Sequence, residues 1–296
     1  MKYRHIVEYV MSTPWAILPS KLTAVLSVLA VRAAGDEVPP EEIAARMGAR
    51  AVPTPSQGAV AVLPLYVVLA HRMDTIEESS GGMSTERFGR LFDQAVADPS
   101  VGAIVFDVNS PGGTVPGVQE LAAKIRAARG TKPIIAVAND LMASAAYWIA
   151  SQADEIVGIP SSLIGSIGVF AAHEDLSKAL ALEGITVTLV SAGKYKTEGN
   201  PYEPLTETAK AVLQGRVDAA YQQFVSDVAA GRQVPVGRVT GGYGEGRALG
   251  AVDAQAAGLI DRIATMDETL TRVLGSSTSA MRAESGAARR RRLAIA

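Results

Sequence analysis

The sequence predicts an α/β protein built around a mostly parallel sheet, preceded by an N-terminal helical arm. Almost uninterrupted apolar runs span residues 59–65, 101–108 and 133–138, and such runs have the composition of strands that are covered on both faces. Segments with apolar residues at helical spacing lie between and after these runs, at residues 84–97, 116–129 and 206–230. Strands that alternate with helices favour parallel pairing through right-handed crossovers.

The other elements follow from the same two patterns. In the arm, helical spacing from Leu22 to Val31 and a short run from Glu41 to Met47 predict two helices. Pro64 predicts a strand end or a bulge in the first strand, and the polar, glycine-rich residues 77–84 predict a loop that could fold over a site. Strands are also expected at 155–159, 185–190 and 259–263, a strand or loop at 165–170, and helices after Ser144, at 176–183 and within 247–258.

Composition limits the chemistry that this chain can perform. The 296 residues suffice for one large domain or two small ones, and a hydrophobic fraction of 48% supplies a sizeable core. A formal net charge of -2 gives no general attraction to nucleic acid. The absence of cysteine excludes disulfides and cysteine-bound metals, and the three histidines lie outside metal-binding spacings such as HExxH. Any nucleophile must therefore be an oxygen or an amine.

Differences in composition divide the chain into an arm and linker of residues 1–57, a main domain of residues 58–270 and a tail of residues 271–296. The arm could decorate the main domain or bind a subunit or another partner. Its apolar patch of about ten residues is shorter than the ~20 that a membrane span requires, so a soluble, cytoplasmic protein is expected. The polar tail predicts disorder, and its basic run Arg289–Arg292 could stay solvated or dock on an acidic partner or nucleic acid.

Ser144 lies where the apolar strand 133–138 gives way to a predicted helix. A serine in this position can cap the helix by accepting a hydrogen bond from an amide two or three residues later. It can also be a nucleophile, with the next amide directed at an incoming carbonyl oxygen. Both roles remain open from this segment alone.

Two further segments favour the nucleophile. Ser110-Pro111-Gly112-Gly113 follows a buried strand, and its glycines let the backbone approach a ligand closely, although a tight strand-to-helix turn would also use them. Lys194 and Lys196 follow another predicted strand. Lysines there are usually solvated and, with a pKa of about 10.4, protonated at neutral pH. Burial in an apolar site lowers the pKa of a lysine and allows it to take the proton of a serine.

These motifs together resemble peptidases of the signal peptide peptidase A family and, more distantly, the Clp protease proteolytic subunit. The shared elements occur in the same order and comprise Ser110–Gly113 after its strand, Ala143–Tyr147, Gly165–Val169 and Gly193–Lys196. The resemblance covers about residues 59–265. It implies a Clp/crotonase-like fold of repeated β-β-α units, a serine–lysine dyad, a polypeptide substrate, and no metal or other cofactor.

The resemblance also assigns individual residues. Ser144 would be the nucleophile and Lys196 the general base, with Lys194 as the alternative base. The family motifs imply an oxyanion hole formed by the amides of Gly112 and Ala145, with Gly113 as a substitute for Gly112. They also imply that Ser166, Ile167 and Gly168 bind the substrate. The chain has Ser144-Ala145-Ala146 where the family usually has Ser-Gly-Gly, which narrows the pocket but keeps the amides.

A single catalytic domain without the membrane anchor of some family members implies a homo-oligomeric ring, in which the dyad can be completed across subunits. The missing anchor, the arm around residues 14–19 and the basic tail resemble the phage-type branch. This likeness implies cleavage of scaffold or capsid protein in the host cytoplasm or inside the prohead. The alternatives are a bacterial cytosolic peptidase that acts on signal peptides or other proteins, and a non-catalytic assembly scaffold.

Other polar residues offer alternatives to the dyad. His173 could serve Ser144, but beside Glu174 and Asp175 a solvated helix start is expected. His71 is expected at a strand end, and Asp107 as a buried structural carboxylate held by backbone amides. A crotonase-like enzyme acting on acyl-CoA would normally carry acidic catalytic residues near the second glycine segment, and this chain has none there.

Overall fold

The computed structural model describes residues 13–23, 56–57, 60–72 and 82–276, and a mostly parallel sheet lies at its centre. The described strands are β1 (Trp15–Ile17), β2 (Ser56–Gln57), β3 (Val60–Ala70), β4 (Gly82–Ser84), β5 (Ala103–Thr114), β6 (Ile134–Ala143), β7 (Glu155–Gly158), β8 (Leu163–Gly165), β9 (Ala248–Gly250) and β10 (Arg262–Ile263). The described helices are α1 (Thr85–Ala97), α2 (Val118–Ala127), α3 (Ala145–Ala150), α4 (Ser177–Leu182), α5 (Glu207–Arg232), α6 (Val236–Gly242), α7 (Ala251–Ala257) and α8 (266–276).

The main path of the sheet has the strand order β10-β7-β6-β5-β3-β2. Its pairs from β10 to β3 are all parallel, and β2 is antiparallel to β3. At the carboxyl ends of the long strands, β4 continues alongside β3, β8 alongside β6, and β1 alongside β5. The predicted α/β class with a mostly parallel sheet is confirmed.

Helices cover one face of the sheet and anchor α3, the helix that follows Ser144. Phe88 and Phe92 of α1 meet Phe106 of β5 edge to face, with ring centroids 5.2 and 5.8 Å apart. Trp148 of α3 stacks on Phe224 of α5 at 4.5 Å. This face holds the larger hydrophobic cluster, so α3 is fixed by packing against a well-filled core.

A smaller apolar cluster lies on the opposite face. It joins valines of β3, β5, β6 and β7 to Val273, which is buried in α8. The packed part of the chain therefore continues past residue 270, where the main domain was expected to end.

Local signals predicted several helix boundaries correctly. Ser84 accepts a hydrogen bond from Arg87 N at the start of α1, and Thr206 accepts one from Ala209 N at the start of α5. Gly184 has a positive φ of 70° just after α4, as expected of a residue that ends a helix. These contacts lie within one helical turn, which is why the sequence alone encodes them.

Other predictions need correction. The predicted strand at 185–190 is not a strand: its residues are irregular and exposed, because no sheet edge in the described part of the chain pairs with them. Strand β3 continues through Pro64, and the bulge lies at Val67, where the pairing with β5 shifts. The predicted arm helix at 41–47, most of the one at 22–31 and most of the loop at 77–84 lie outside the described residues. Within the arm, residues 15–17 form a strand, and residues 19–23 are helical.

Candidate active site

The turn between β6 and α3 places Ser144 in an unusual backbone conformation. Its φ is 55° and its ψ is -121°, values that typically cost a non-glycine residue about 1–3 kcal/mol. Two backbone hydrogen bonds hold the turn, from Ser144 N to Gly165 O at 2.7 Å and from Trp148 N to Ser144 O at 2.9 Å. Ser144 occupies the N-cap position, but its side chain makes no capping hydrogen bond. Helix capping therefore does not explain the serine.

Side chains behind α3 hold this turn in place. Trp148 Nε1 donates to Asp227 Oδ2 of α5 at 3.0 Å, and Arg126 of α2 donates to Asp227 Oδ1 at 3.2 Å. Tyr147 donates its buried hydroxyl to Leu259 O at 2.8 Å, and burial raises the pKa of Tyr147 well above its usual value. Because these groups are paired, helix α3 can stay buried without leaving a free charge or an unpaired donor.

Gly112 lies directly against Ser144. A Cβ atom on Gly112 would lie 2.2 Å from the carbonyl oxygen of Ala16, 2.9 Å from Ser144 Cβ and 3.0 Å from Ala145 N. Its φ of 99° also disfavours any other residue. The glycine motif and the serine segment, distant in sequence, are thus brought together as predicted. The motif lies inside strand β5 and is not a turn into the next helix.

The two glycine amides differ in what they contact. Gly112 N donates to Ser110 Oγ at 3.2 Å, and Ser110 Oγ donates to the carbonyl of Val67 at the bulge in β3. Gly113 pairs with Ala16 of strand β1. Ala145 N opens helix α3, where amides have no partner within the helix.

Residues 166–170 lie on the side of Ser144 away from the glycine motif, and we refer to the space between these two segments, which β1 occupies, as the cleft. Ser144 Oγ lies 3.4 Å from Gly168 O. Ser166, with a φ of 53°, and Ile167 are both buried, and Ser166 N donates to Arg247 O at 2.9 Å. Ser166 therefore connects this segment to Arg247, the residue that precedes β9.

The arm supplies a strand that sequence patterns did not reveal as part of the site. Strand β1 runs antiparallel to the end of β5 and also exchanges two backbone hydrogen bonds with Phe170, at 2.8 and 3.0 Å. It lies between the glycine motif and the segment that follows Gly168. The only signal in the sequence is a short apolar trio, Trp15-Ala16-Ile17, bounded by Pro14 and Leu18-Pro19.

The predicted bases are not assembled with the serine in this single chain. Every residue from 181 to 196 is exposed, Lys194 and Lys196 among them. Lys194 Nζ lies 4.9 Å from the centroid of the neighbouring Tyr195 ring. In the described part of the chain, no hydrogen bond or ion pair joins either lysine to Ser144.

His71, His173 and Asp107 have structural partners, and for His71 this is Thr85 Oγ1, 3.4 Å from its Nδ1. His173 Nε2 lies 3.1 Å from Asn200 O, and His71 directly follows β3, as expected of a residue at a strand end. Asp107 is half-buried, and its carboxylate accepts hydrogen bonds from two side chains. The donors are the Tyr66 hydroxyl and Asn139 Nδ2, the latter at 3.0 Å. The expectation that backbone amides hold Asp107 was therefore wrong, because neighbouring strands present polar side chains at the same level.

Across the described residues, no trio of histidine, aspartate or glutamate side chains is grouped closely enough to bind a metal ion. Within the same residues, no helix has the length and apolar character needed to cross a membrane.

Comparison with known proteins relates the chain to peptidases. A model of the family described as Peptidase family S49 matches residues 126–276, about half of the chain, a range that includes Ser144 and both lysines. Capsid assembly protease C of Escherichia phage lambda is 34% identical over 214 residues, which cover 72% of this chain and 48% of the relative.

Two other relatives show the same mixture of phage and cellular proteins. Head-tail preconnector protein GP5 of Enterobacteria phage P21 is 35% identical over 182 residues, covering 62% of this chain and 36% of the relative. Protease 4 of Salmonella typhi is 29% identical over 197 residues, covering 66% of this chain and 32% of the relative. The chain thus spans about half or less of the length of these three curated relatives.

Proposed function

The chain belongs to peptidase family S49, and from this premise we propose that it is a serine endopeptidase with Ser144 as its nucleophile. The observation that carries the proposal is the strained turn at Ser144, packed against Gly112 and against the first amide of α3. The surrounding structure must compensate for the conformational free energy of this backbone, and such strained residues are concentrated at functional sites. Presentation of a nucleophile beside amide donors accounts for the strain at Ser144.

We assign the oxyanion hole to the amides of Gly113 and Ala145. The sequence motifs favoured Gly112 with Gly113 as a substitute, but the amide of Gly112 donates to Ser110 Oγ. Gly113 pairs with an extended strand in the cleft, which is where a substrate carbonyl would approach. Each such donor typically contributes about 100–1000-fold to the rate.

The proposed reaction uses Lys196 as the base. Its neutral amine takes the Ser144 proton as Oγ attacks the scissile carbonyl carbon, and the oxyanion forms between the two amides. Lys196 then protonates the leaving amine, the C–N bond breaks, and an ester with Ser144 remains. Water, deprotonated by the same amine, hydrolyses that ester and restores the enzyme.

We infer that a second copy of the chain brings Lys196 to Ser144. The exposed residues 181–196 carry large apolar side chains that soluble proteins seldom leave in water, and these are Leu182, Ile185, Val187, Leu189 and Val190. A head-to-tail contact between copies would bury them and would place the lysine segment of one copy near the cleft of the next. Such heterologous contacts close into rings.

The named relatives support a substrate among phage head proteins. One is a capsid assembly protease and another a head-tail preconnector protein. We propose that this chain cleaves scaffold or capsid protein during head assembly. Incubating the purified oligomer with those proteins and mapping the products by mass spectrometry tests this substrate independently of the mechanism.

A fluorophosphonate probe followed by intact mass tests the nucleophile. Wild type should gain one adduct, and Ser144→Ala should gain none. Ser151→Ala is the matched control, because Ser151 is also buried at helix α3 but donates its hydroxyl to Trp148 O. An adduct on Ser144→Ala, or none on a folded wild-type oligomer, would exclude Ser144 as the nucleophile.

Mixing two inactive variants tests whether the dyad forms between copies. Ser144→Ala and Lys196→Ala should each be inactive alone. After co-assembly, a site shared between neighbours should recover about one quarter of wild-type activity, because random mixing pairs an intact serine with an intact lysine at that frequency in a head-to-tail ring. No recovery in verified mixed oligomers would show that the dyad forms within one chain, and Lys194→Ala then tests the alternative base.

A further inference from the structure

Strand β1 lies in the cleft in the manner of a bound peptide. One of its edges pairs antiparallel with β5 through Trp15–Thr114, Ala16–Gly113 and Ile17–Gly112. On its other edge, Trp15 N donates to Phe170 O and Phe170 N donates to Trp15 O. A peptide held on both edges by main-chain hydrogen bonds is the geometry of β-strand recognition, which accepts a chain largely independently of its side chains.

The register of this strand singles out Ala16. Leu18 N donates to Pro111 O at 3.0 Å, and Val115 N donates to Pro14 O at 3.2 Å. Hydrogen-bonded and non-bonded pairs alternate along an antiparallel ladder, so Ala16 and Gly113 form the bonded pair between these two. The carbonyl oxygen of Ala16 is therefore the acceptor for the amide of Gly113.

The surroundings of that carbonyl match what a scissile bond requires. The Ala16 oxygen lies 2.2 Å from the position a Cβ on Gly112 would occupy, and Ser144 Cβ and Ala145 N lie 2.9 and 3.0 Å from the same point. The serine, the first amide of α3 and this carbonyl thus converge on one small volume. The Ala16 side chain is fully buried, and Trp15 and Ile17 on either side are also buried.

We propose that the arm is the enzyme's own first substrate and that Ser144 cleaves the peptide bond between Ala16 and Ile17. Ser144 Oγ bonds to the Ala16 carbonyl carbon, the bond to Ile17 N breaks, and the leaving amine takes the proton that the base removed from Ser144. Water then hydrolyses the ester, giving a free Ala16 carboxylate and a chain that begins at Ile17. The inference rests on the proposed function of Ser144.

This placement explains two features of the arm. Main-chain hydrogen bonds hold the arm on both sides of the Ala16–Ile17 peptide bond, at Trp15 before it and at Leu18 after it. An enzyme that cleaves this bond has to fix the chain on both sides of the reacting carbonyl. The arm also fills the cleft, so other polypeptides would be excluded until it is cut. Because Lys196 is exposed in the single chain, cleavage would follow the contact between copies that delivers the base.

Intact mass and amino-terminal sequencing of the full chain test the proposal. Assembled wild type should yield a chain beginning at Ile17, whereas Ser144→Ala should keep the Ala16–Ile17 bond intact. Ala16→Trp should slow the cut at least ~10-fold, because the buried alanine site has to accept a far larger side chain. Ser20→Trp, at an exposed arm position, should leave the cut unchanged.

Fluorophosphonate labelling of the same samples separates failure of this inference from failure of the proposed function. Wild type that is labelled on Ser144 yet keeps residues 16 and 17 joined would overturn the inference alone. Cutting in Ser144→Ala, or at a different bond of the arm, would overturn it too. If Ala16→Trp does not fold, a synthetic peptide of residues 13–20 replaces it: unlabelled wild type should split this peptide only between alanine and isoleucine, and wild type labelled beforehand should not split it.

Discussion

Gly112→Ala should abolish peptidase activity, although it adds only one methyl group. The added Cβ would lie 2.2 Å from Ala16 O and 2.9 Å from Ser144 Cβ, distances that real Cβ atoms essentially never show, and 3.0 Å from Ala145 N, which is tighter than most Cβ contacts. Backbone must shift to make room, and a displacement of about 1 Å near reacting groups can cost about 100-fold in rate. We therefore expect fluorophosphonate labelling of Ser144 to slow by at least that factor.

Gly130→Ala is the matched control for the backbone strain that an alanine with a positive φ introduces. Gly130 also has a positive φ, 81°, but an added Cβ there would meet nothing within 4 Å. The left-handed conformation should cost either alanine variant about 1–2 kcal/mol. For a domain of this size each kcal/mol should lower the Tm by roughly 2–4 °C.

Labelling rates and thermal melts of both variants complete the comparison. Gly130→Ala should melt earlier than wild type and be labelled at the wild-type rate, so strain alone would not account for lost activity. If folded Gly112→Ala is labelled within about threefold of Gly130→Ala, the close packing of Gly112 on Ser144 is not required for catalysis, and the site described above is wrong.

Three further predictions concern the supports of the site. Asp227→Ala leaves the indole donor of Trp148 without its acceptor and should lower the free energy of unfolding by about 2–4 kcal/mol, measured in urea; an unchanged midpoint would refute this role. Burial would raise the pKa of Asp261, but hydrogen bonds from an arginine and a backbone amide hold it below its usual value. Ionised Asp261 therefore stabilises the folded protein fully above about pH 4, and this contribution is lost as the pH falls further. The free energy of unfolding of Asp261→Asn should fall less between pH 5 and pH 3 than that of wild type. Val190→Asp should yield a smaller species by light scattering and lower activity, whereas Val252→Asp, at another exposed valine on helix α7, should change neither.

Features that depend on neighbouring residues could be predicted from the sequence. The caps of α1 and α5 and the buried strands were predicted because their signals repeat within a few residues. The motifs also predicted that Gly112 and Ser144 belong to one site, and the structure brings these two residues into contact. The helices α1, α2 and α5 were predicted to within about two residues, the usual uncertainty of helix ends.

Features that depend on pairing between distant segments could not be predicted from the sequence. Strands β5 and β6 extend beyond their apolar runs because β1, β3 and β8 pair with their ends. The β-rich residues 185–190 remain irregular because a strand needs a partner, and β propensity alone supplies none. The choice of Gly113 over Gly112 depended on which amide is already bonded to Ser110 Oγ.

The sequence by itself determined the α/β class, the nucleophile candidate and the absence of cysteine chemistry, because periodicity and residue type are properties of the chain. Only the tertiary structure decided that the arm enters the cleft as a strand, that Ala16 and Ser144 both lie against Gly112, and that Lys196 stays exposed in one copy. These facts are distances between segments far apart in the chain. These distances are determined by the free energy of burying apolar side chains and of pairing the main chain with an open edge of the sheet.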